Sequence, residues 1–422
     1  MDSHKKVERK TNWLAVLLVF ATSFIYYFPY DHLQPLMKPI IEEYGLNLTG
    51  FNFAYALADI PTLFILLLAP SLIRSFGSST LLVVSVGCMS LGQLLIAFSS
   101  LSKSFVLLLI GRFLLGLLRE PFALLIQVLL RRYFSPSHFR YMIALQIAVI
   151  TKAKIINVYF VPYYLLESES LSNTLFVCWA IAQFSTIAAV VYLLRTDQHD
   201  QEEEPELYDD KPVDPKPFDK ISFILLLAVH VLQGGCFKAF SNVAVDFLES
   251  HYDIGVLDAG CLWSLHYITF AVVCPLLFWL ISKQNKAVLG LFPASSGLLV
   301  VGLLINIYST VYFNAGVSVV LYAVFLSARM VTVFPLISEM ELPRKIKSNL
   351  QFAIGAEAFG FVTVPLFSSL ISDVVFDSKY IYDGYLNKLL IVSFITFVLG
   401  LVWTYRYHQK QKAHPHPAVH VE

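Results

Sequence analysis

Between Gly111 and Phe134 the chain reads GRFLLGLLREPFALLIQVLLRRYF, an apolar run that carries Arg112, Arg119 and Glu120 inside it and closes on Arg131 and Arg132. Ionisable side chains at membrane depth are costly and normally face a protein interior or a water-filled path, so they mark a candidate functional site. Arg112 and Arg119 are seven residues apart, almost on one helix face, with Gly116 between them to let a neighbouring backbone approach. Pro121 removes a backbone donor directly after Glu120, a device found where membrane helices line cavities. Two readings stay open: Arg119 and Glu120 as ion-pair partners that hold the bundle together, or at least one of them lining a path.

Other charges fall in other apolar runs. Asp59 can accept a proton or an amine, or simply pair with Arg112, Arg119 or a lysine. Tyr26, Tyr27 and Tyr30, followed by Asp31 and His32, are expected to anchor a helix end at the headgroup level, which amphipathic rings favour. Lys152 and Lys154 are two residues apart, roughly 200° around a helix, so only one of them can face a given cavity. Lys238 follows Gly234-Gly235, read as a flexible point, and can meet a carboxylate. Glu357, between Gly355 and Gly360, is expected to pair with Arg329. His230 and His266 have no companions at ligand spacing and are expected as hydrogen-bonded core residues. The five cysteines sit singly in apolar runs, without CxxC spacing, and read as small core residues. His408, His414, His416 and His420 near the C-terminus fit a disordered polar tail better than a metal site. No phosphate-binding loop, nucleophile elbow or HExxH motif is present, so neither an ATP-driven pump nor an intramembrane hydrolase is expected, and no cofactor is implied.

Composition says which elements must hold these side chains. With 57% hydrophobic and 14% charged residues and a mean hydropathy of +0.67, the 422-residue chain has more apolar surface than a soluble protein can bury. Net charge is zero, and nothing points to nucleic acid. Apolar windows of helix-spanning length, rather than alternating ten-residue strands, predict an all-α polytopic membrane protein. Twelve transmembrane helices are expected, at about 13–36, 50–72, 80–99, 105–132, 138–165, 171–194, 220–248, 256–281, 286–308, 311–338, 348–371 and 387–407. The acidic, proline-rich stretch 196–219 has too little apolar surface to fold and splits them into two six-helix halves. The expected organisation is an N-terminal tail 1–12, a first half 13–195, the linker 196–219, a second half 220–407 and a His-rich tail 408–422. No small-residue cleavage site follows the first apolar run, so that helix is expected to be retained.

Orientation follows from the distribution of Lys and Arg. If the N-terminus is cytosolic, that side collects most of the 30 Lys and Arg residues, while the opposite loops carry only Lys38, Lys103, Lys379 and Lys388. Both termini and the linker are therefore expected in the cytosol. The sequon Asn47-Leu48-Thr49 then lies in the first non-cytosolic loop, where Asn47 can carry a glycan.

Six spans, a central linker and six more spans resemble the major facilitator superfamily over nearly the whole chain. That family's loop between helices 2 and 3 carries a Gly, an Asp-Arg pair, another Gly and a further basic residue. Here PSLIRSFGSS keeps Arg74 and Gly77, but Ile73 stands at the acid and Ser78 and Ser79 bring no charge. Within the superfamily the first half is similar to the lysosomal dipeptide transporters of the major facilitator superfamily domain-containing protein 1 family. The carrying pieces are Tyr30-Asp31, Tyr55-Ala56 with Pro61, Gly92-Gln93, Gly111-Arg112-Phe113 with Gly116 and Glu120, and Leu145-Gln146 with Asn157.

This resemblance implies a transporter that moves dipeptides, or similarly small zwitterionic solutes, out of an acidic organelle by facilitated diffusion and alternating access. It implies that Glu120 holds the solute's amino group. The helix 5 arginine expected to meet the carboxylate is replaced by Thr151, which leaves Lys238 with Lys152 or Lys154 for that role. Tyr30, Tyr55 and Asp59 would shape the pocket, with Arg112, Arg119, Arg329 and Glu357 as binding, structural or coupling charges. It also implies a lysosomal or other endomembrane location and a small single-span glycosylated accessory protein. A different class stays open: a transporter fold kept as a structural subunit, for which the changes at Ile73 and Thr151 speak.

Overall fold

The computed structural model describes residues 13–134, 136–195, 220–282, 287–339, 349–375 and 381–413. The N-terminal tail, the linker 196–219, the basic stretch Arg344 to Lys347 and the histidines of the last nine residues lie outside them. Among the described residues every regular element is helical and no strand occurs, as hydrocarbon demands when each peptide group must be satisfied within its own segment.

The first half holds α1 (Trp13–Tyr27), α2 (Met37–Tyr44), α3 (Leu48–Asp59), α4 (Thr62–Phe76), α5 (Ser78–Ser102), α6 (Phe105–Leu117), α7 (Arg119–Tyr133), α8 (Pro136–Ser168) and α9 (Leu171–Arg195). The second holds α10 (Lys220–Tyr252), α11 (Val256–Ser282), α12 (Ala287–Tyr308), α13 (Tyr312–Glu339), α14 (Asn349–Val375) and α15 (Ile381–Ala413). Among the described residues eleven segments are long and apolar enough to cross a membrane, and α1 is a shorter apolar helix of 15 residues.

Three expected spans differ from single helices. The first, expected over 13–36, is helical only to Tyr27; a turn and a 3-10 segment, Gln34–Leu36, carry it on to α2. The second is divided into α3 and α4 at Ile60-Pro61, because Pro61 has no N–H to give the helical ladder. The fourth is divided into α6 and α7 at Leu118, whose backbone (φ −114°, ψ 18°) leaves the helical region. Pro121 lies just downstream, and the missing donor is absorbed in the first turn of α7, where a proline costs nothing. The last span also runs past its expected end at 407, to Ala413.

Local sequence fixes the connections. Asn47 caps α3 by accepting from the amide of Gly50 at 2.9 Å, and Ser104 caps α6 through the amide of Leu107 at 3.3 Å. Gly77 joins α4 to α5 at φ +71°, a conformation open to glycine and strained for other residues. Ile73, where the superfamily has an acid, is fully buried in the apolar core of the first half.

Across the seam between the halves α3 packs on α14 and α8 on α11. Side-chain ties between the halves gather at the end of the bundle away from the start of α1 and the end of α15. Asn242 donates to Asn52 at 3.0 Å, Gln34 to the carbonyl of Ser241, and Asp373 accepts from the amide of Thr49 at 2.8 Å.

Candidate functional site

Two broken spans meet inside the first half. Gly116 lies so close to α3 that a Cβ on it would stand 1.8 Å from the carbonyl oxygen of Ala58, so glycine is what permits the approach. The contact brings the end of α3, Asp59, against the start of α7, Arg119 and Glu120. Arg119 donates from Nη1 to Asp59 Oδ1 at 2.5 Å and from Nε to Glu120 Oε1 at 2.8 Å, with Nη2 at ion-pair distance, 2.8 Å, from the same oxygen. The phenol of Tyr30 donates to Asp59 Oδ1 at 2.9 Å and accepts from Arg119. Asp59 is fully buried, yet its Oδ2 has no hydrogen-bond partner among the described residues. The side chain of Glu120 is 20% exposed, against none for Asp59, so it is the acid a solute reaches more easily. This end holds two carboxylates against one guanidinium.

The other end of Tyr30 meets the opposite balance. Its carbonyl accepts from Arg112 Nη1 at 3.0 Å, and Arg112 Nε donates to the carbonyl of Ala54 at 3.2 Å. The Arg112 guanidinium lies over the ring of Tyr55 at 4.5 Å, and its Nη2 is buried without a hydrogen-bond partner among the described residues. Next along the chain, Asp31 places Oδ2 3.0 Å from Lys154 Nζ on α8 and Oδ1 3.7 Å from Lys238 Nζ on α10. Lys238 belongs to the second half, and it also rides over Tyr55 at 4.9 Å and Tyr30 at 5.7 Å. Lys154 lies 5.7 Å from the ring of Tyr267 on α11. Here three cations surround one carboxylate.

In the second half Arg329 Nη1 meets Glu357 Oε1 at 2.7 Å, while Nη2 contacts His230 Nδ1 at 3.1 Å. Gly234 makes room for that guanidinium, since a Cβ there would stand 2.8 Å from Nη2. Gly235 lies against the carbonyl of Gly360 in the same way, at 2.6 Å. The glycine pair, expected as a flexible point, therefore serves close packing within the unbroken helix α10. His266 is buried and stacked on Trp263 at 5.0 Å between ring centroids.

Several sequence-predicted residues come together and others do not. Tyr30, Tyr55, Asp59, Arg112, Arg119, Glu120, Lys154 and Lys238 form one connected cluster; Arg329 and Glu357 form a separate pair. The break at Leu118 places Arg112 and Arg119 on different helices, α6 and α7, yet both guanidiniums lie over the ring of Tyr30, at 5.6 and 4.7 Å. Lys152 is exposed and stands outside the cluster, since the turn of α8 that points Lys154 inward points it away. Tyr26 and Tyr30 are buried within the bundle rather than anchoring its rim, and Tyr26 stacks on Phe122 at 3.8 Å. Thr151 donates its hydroxyl to the carbonyl of Ile147 at 2.7 Å, inside its own helix. Asn47 is exposed at the end of the bundle away from the start of α1 and the end of α15.

Sequence reasoning did not place Asp31 in the site, although it is the residue at which the two halves exchange charge. Its signal was the pair of unmatched lysines, which required a carboxylate. Asn157, which donates to the carbonyl of Phe28, was seen only as part of a motif.

The comparisons with known proteins agree with this architecture. The profile described as Major Facilitator Superfamily matches residues 19–375. A curated relative, the lysosomal dipeptide transporter MFSD1 of Danio rerio, is 21% identical over 380 residues, covering 86% of this chain and 80% of its own. Among solved structures the nucleoside transporter NupG is similar with a TM-score of 0.69 at 14% identity, covering 93% of this chain and 99% of its own. The peptide transporter POT, solved in complex with sulfate, gives 0.70 at 12% identity, covering 93% and 94%. These relatives are transporters, not enzymes, and the chain belongs to the major facilitator superfamily.

Proposed function

We propose that the protein is a uniporter for small zwitterionic solutes, dipeptides foremost, working by alternating access in an organellar membrane. The observation that carries this reading is the opposed charge balance at the two ends of Tyr30. An excess of carboxylate around Arg119 suits an amine; an excess of cation around Asp31 suits a carboxylate. A charge pair a few ångströms apart in such a site is worth roughly 4 kcal/mol at an effective dielectric of about 20, several times its value in water. Glu120 takes the amine, because it is the more accessible acid and Arg119 keeps Asp59 as a partner when Glu120 turns to a ligand. Lys154 and Lys238 take the carboxylate, Tyr30 and Tyr55 form the wall between, and Asp59 fixes Arg119. Broken helices at such depth are the usual frame of transporter sites. The family likeness to a lysosomal dipeptide transporter supports the same solute class and an endomembrane location.

In this reading both termini and the linker are cytosolic, Asn47 carries a glycan on the opposite side, and an accessory single-span glycoprotein can attach there. The test is uptake of labelled alanyl-alanine into proteoliposomes loaded with unlabelled dipeptide, compared with its C-terminal amide and with N-acetyl-alanyl-alanine. The free dipeptide should exchange, while either capped form should compete at least ten times more weakly. Equal competition by both capped forms would remove the zwitterion reading. No uptake by folded protein, with a second polypeptide retained through purification, would favour the structural-subunit alternative.

A further inference from the structure

Asp31 is placed as a solute carboxylate would be. Its two oxygens are divided between two lysines, one from each half, and the carboxyl group is nearly enclosed by them. We propose that Asp31 is an internal stand-in for the solute's carboxylate: in the empty carrier it occupies the two-lysine site, and solute binding displaces it. This inference rests on the zwitterion reading above and adds how binding is linked to movement of the halves.

Three features support displacement over a permanent ion pair. The turn bearing Asp31 is held by its backbone: Asn157 donates to the carbonyl of Phe28, Arg112 to that of Tyr30, and the amide of Gln34 to that of Asp31 at 3.1 Å. The carboxylate can therefore change partner by rotating its short side chain while the turn stays fixed. Both lysines also have supports of their own, Lys238 over Tyr55 and Tyr30 and Lys154 near Tyr267, so they stay aimed at the same place when Asp31 leaves. Finally, Lys154, Lys238 and Arg112 outnumber Asp31, so the site still attracts a carboxylate while Asp31 occupies it.

The consequence concerns the seam. While Asp31 holds Lys238 it ties α10 to the first half at the end where the other ties gather, alongside Asn52 with Asn242 and Thr49 with Asp373. A solute carboxylate that takes the lysines replaces this intramolecular tie and shifts the balance between conformations, as it must if it is to favour one of them. Empty carriers then reorient more slowly than loaded ones. Exchange needs only loaded carriers, whereas net efflux needs the empty one to return.

The experiment measures both rates with alanyl-alanine in proteoliposomes for the wild type, Asp31→Asn and Asp31→Ser. The wild type should exchange several-fold faster than it shows net efflux, and either substitution should bring the ratio toward one. An unchanged ratio in variants that still exchange would overturn the inference while leaving the zwitterion reading intact. Loss of all exchange in folded Asp31→Asn would overturn it too, by showing that Asp31 holds the solute itself. A wild type that moves no dipeptide would remove the zwitterion reading and this inference with it. Should Asp31→Asn fail to fold, Asp31→Ser, which also removes the charge, carries the test.

Discussion

In the second half one arginine meets one glutamate. Arg329 and Glu357 lie 2.7 Å apart, His230 occupies a further guanidinium nitrogen, and Gly234 closes the space around them. In the first half the charges are unequal: two acids share Arg119, Asp31 divides itself between two lysines, and Asp59 Oδ2 and Arg112 Nη2 lack partners among the described residues. Arg329 Nε is also buried without a hydrogen-bond partner among the described residues, but its pair with Glu357 is balanced in charge and so offers a ligand no net charge. An unbalanced one keeps capacity at each end, which a zwitterion can use. The two halves thus teach how to separate charges that hold a bundle together from charges that bind.

The largest effect should come from breaking the balanced pair. Arg329→Met leaves Glu357 buried with an uncompensated charge, which costs about 3–5 kcal/mol, whereas replacing both partners by apolar groups is often close to neutral. Thermal melting in detergent should show a severe loss for Arg329→Met and recovery of most of it in Arg329→Met/Glu357→Met. A recovered double variant that no longer transports would place this pair in the solute path and dissolve the contrast. Backbone approach gives the next test. Gly116→Val drives a side chain into the carbonyl of Ala58, and overpacking of this kind costs about 1–3 kcal/mol or more. Gly355→Ala meets nothing within 4 Å and should leave the melting temperature unchanged or slightly raised.

The unbalanced cluster should respond in the opposite sense, losing function with little loss of stability. Glu120→Gln removes one of two acids from Arg119, which retains Asp59 and is not left uncompensated, so the cost to folding should stay below the about 3–5 kcal/mol of a broken buried pair. A charged hydrogen bond to a solute amine is worth about 1.5–3 kcal/mol, so alanyl-alanine exchange should fall by roughly ten- to a hundred-fold. Stability and transport falling together would indicate that Glu120 acts as scaffold, as Glu357 does.

Much of this was legible in the chain. Apolar windows gave the spans, and charges stranded inside them gave most of the cluster, because hydrocarbon punishes an ionised group that has no purpose there. What escaped depended on where helices stop. Pro121 announced a break, but its position at Leu118 follows from how α6 meets α3, which no local pattern records. Asp31 and the tyrosines before it sit where an apolar run ends, and a run's end looks like a membrane surface. Only the fold shows that α1 stops early, at Tyr27, and turns inward. The pairing of Lys238 with Asp31 joins residues of opposite halves, and sequence spacing carries no information about a contact of that kind.

The smallest effect sharpens the comparison within one helix. Lys152 and Lys154 share a helix, a charge and a depth, and differ by about 200° in direction. Lys154 reaches Asp31 at 3.0 Å; Lys152 is exposed. Substitution at an exposed position away from such contacts usually changes stability by no more than about 0.5 kcal/mol, so Lys152→Ala should match the wild type in melting and in the KM for alanyl-alanine. Lys154→Ala should raise that KM by about ten-fold, the loss expected when one charged contact to a carboxylate is removed. Because the two variants lose the same charge, any general electrostatic effect on the membrane or on solute approach cancels between them. A rise in KM for Lys152→Ala equal to that for Lys154→Ala would mean that the exposed face of α8 also meets the solute. The carboxylate would then have a second contact in another conformation of the carrier.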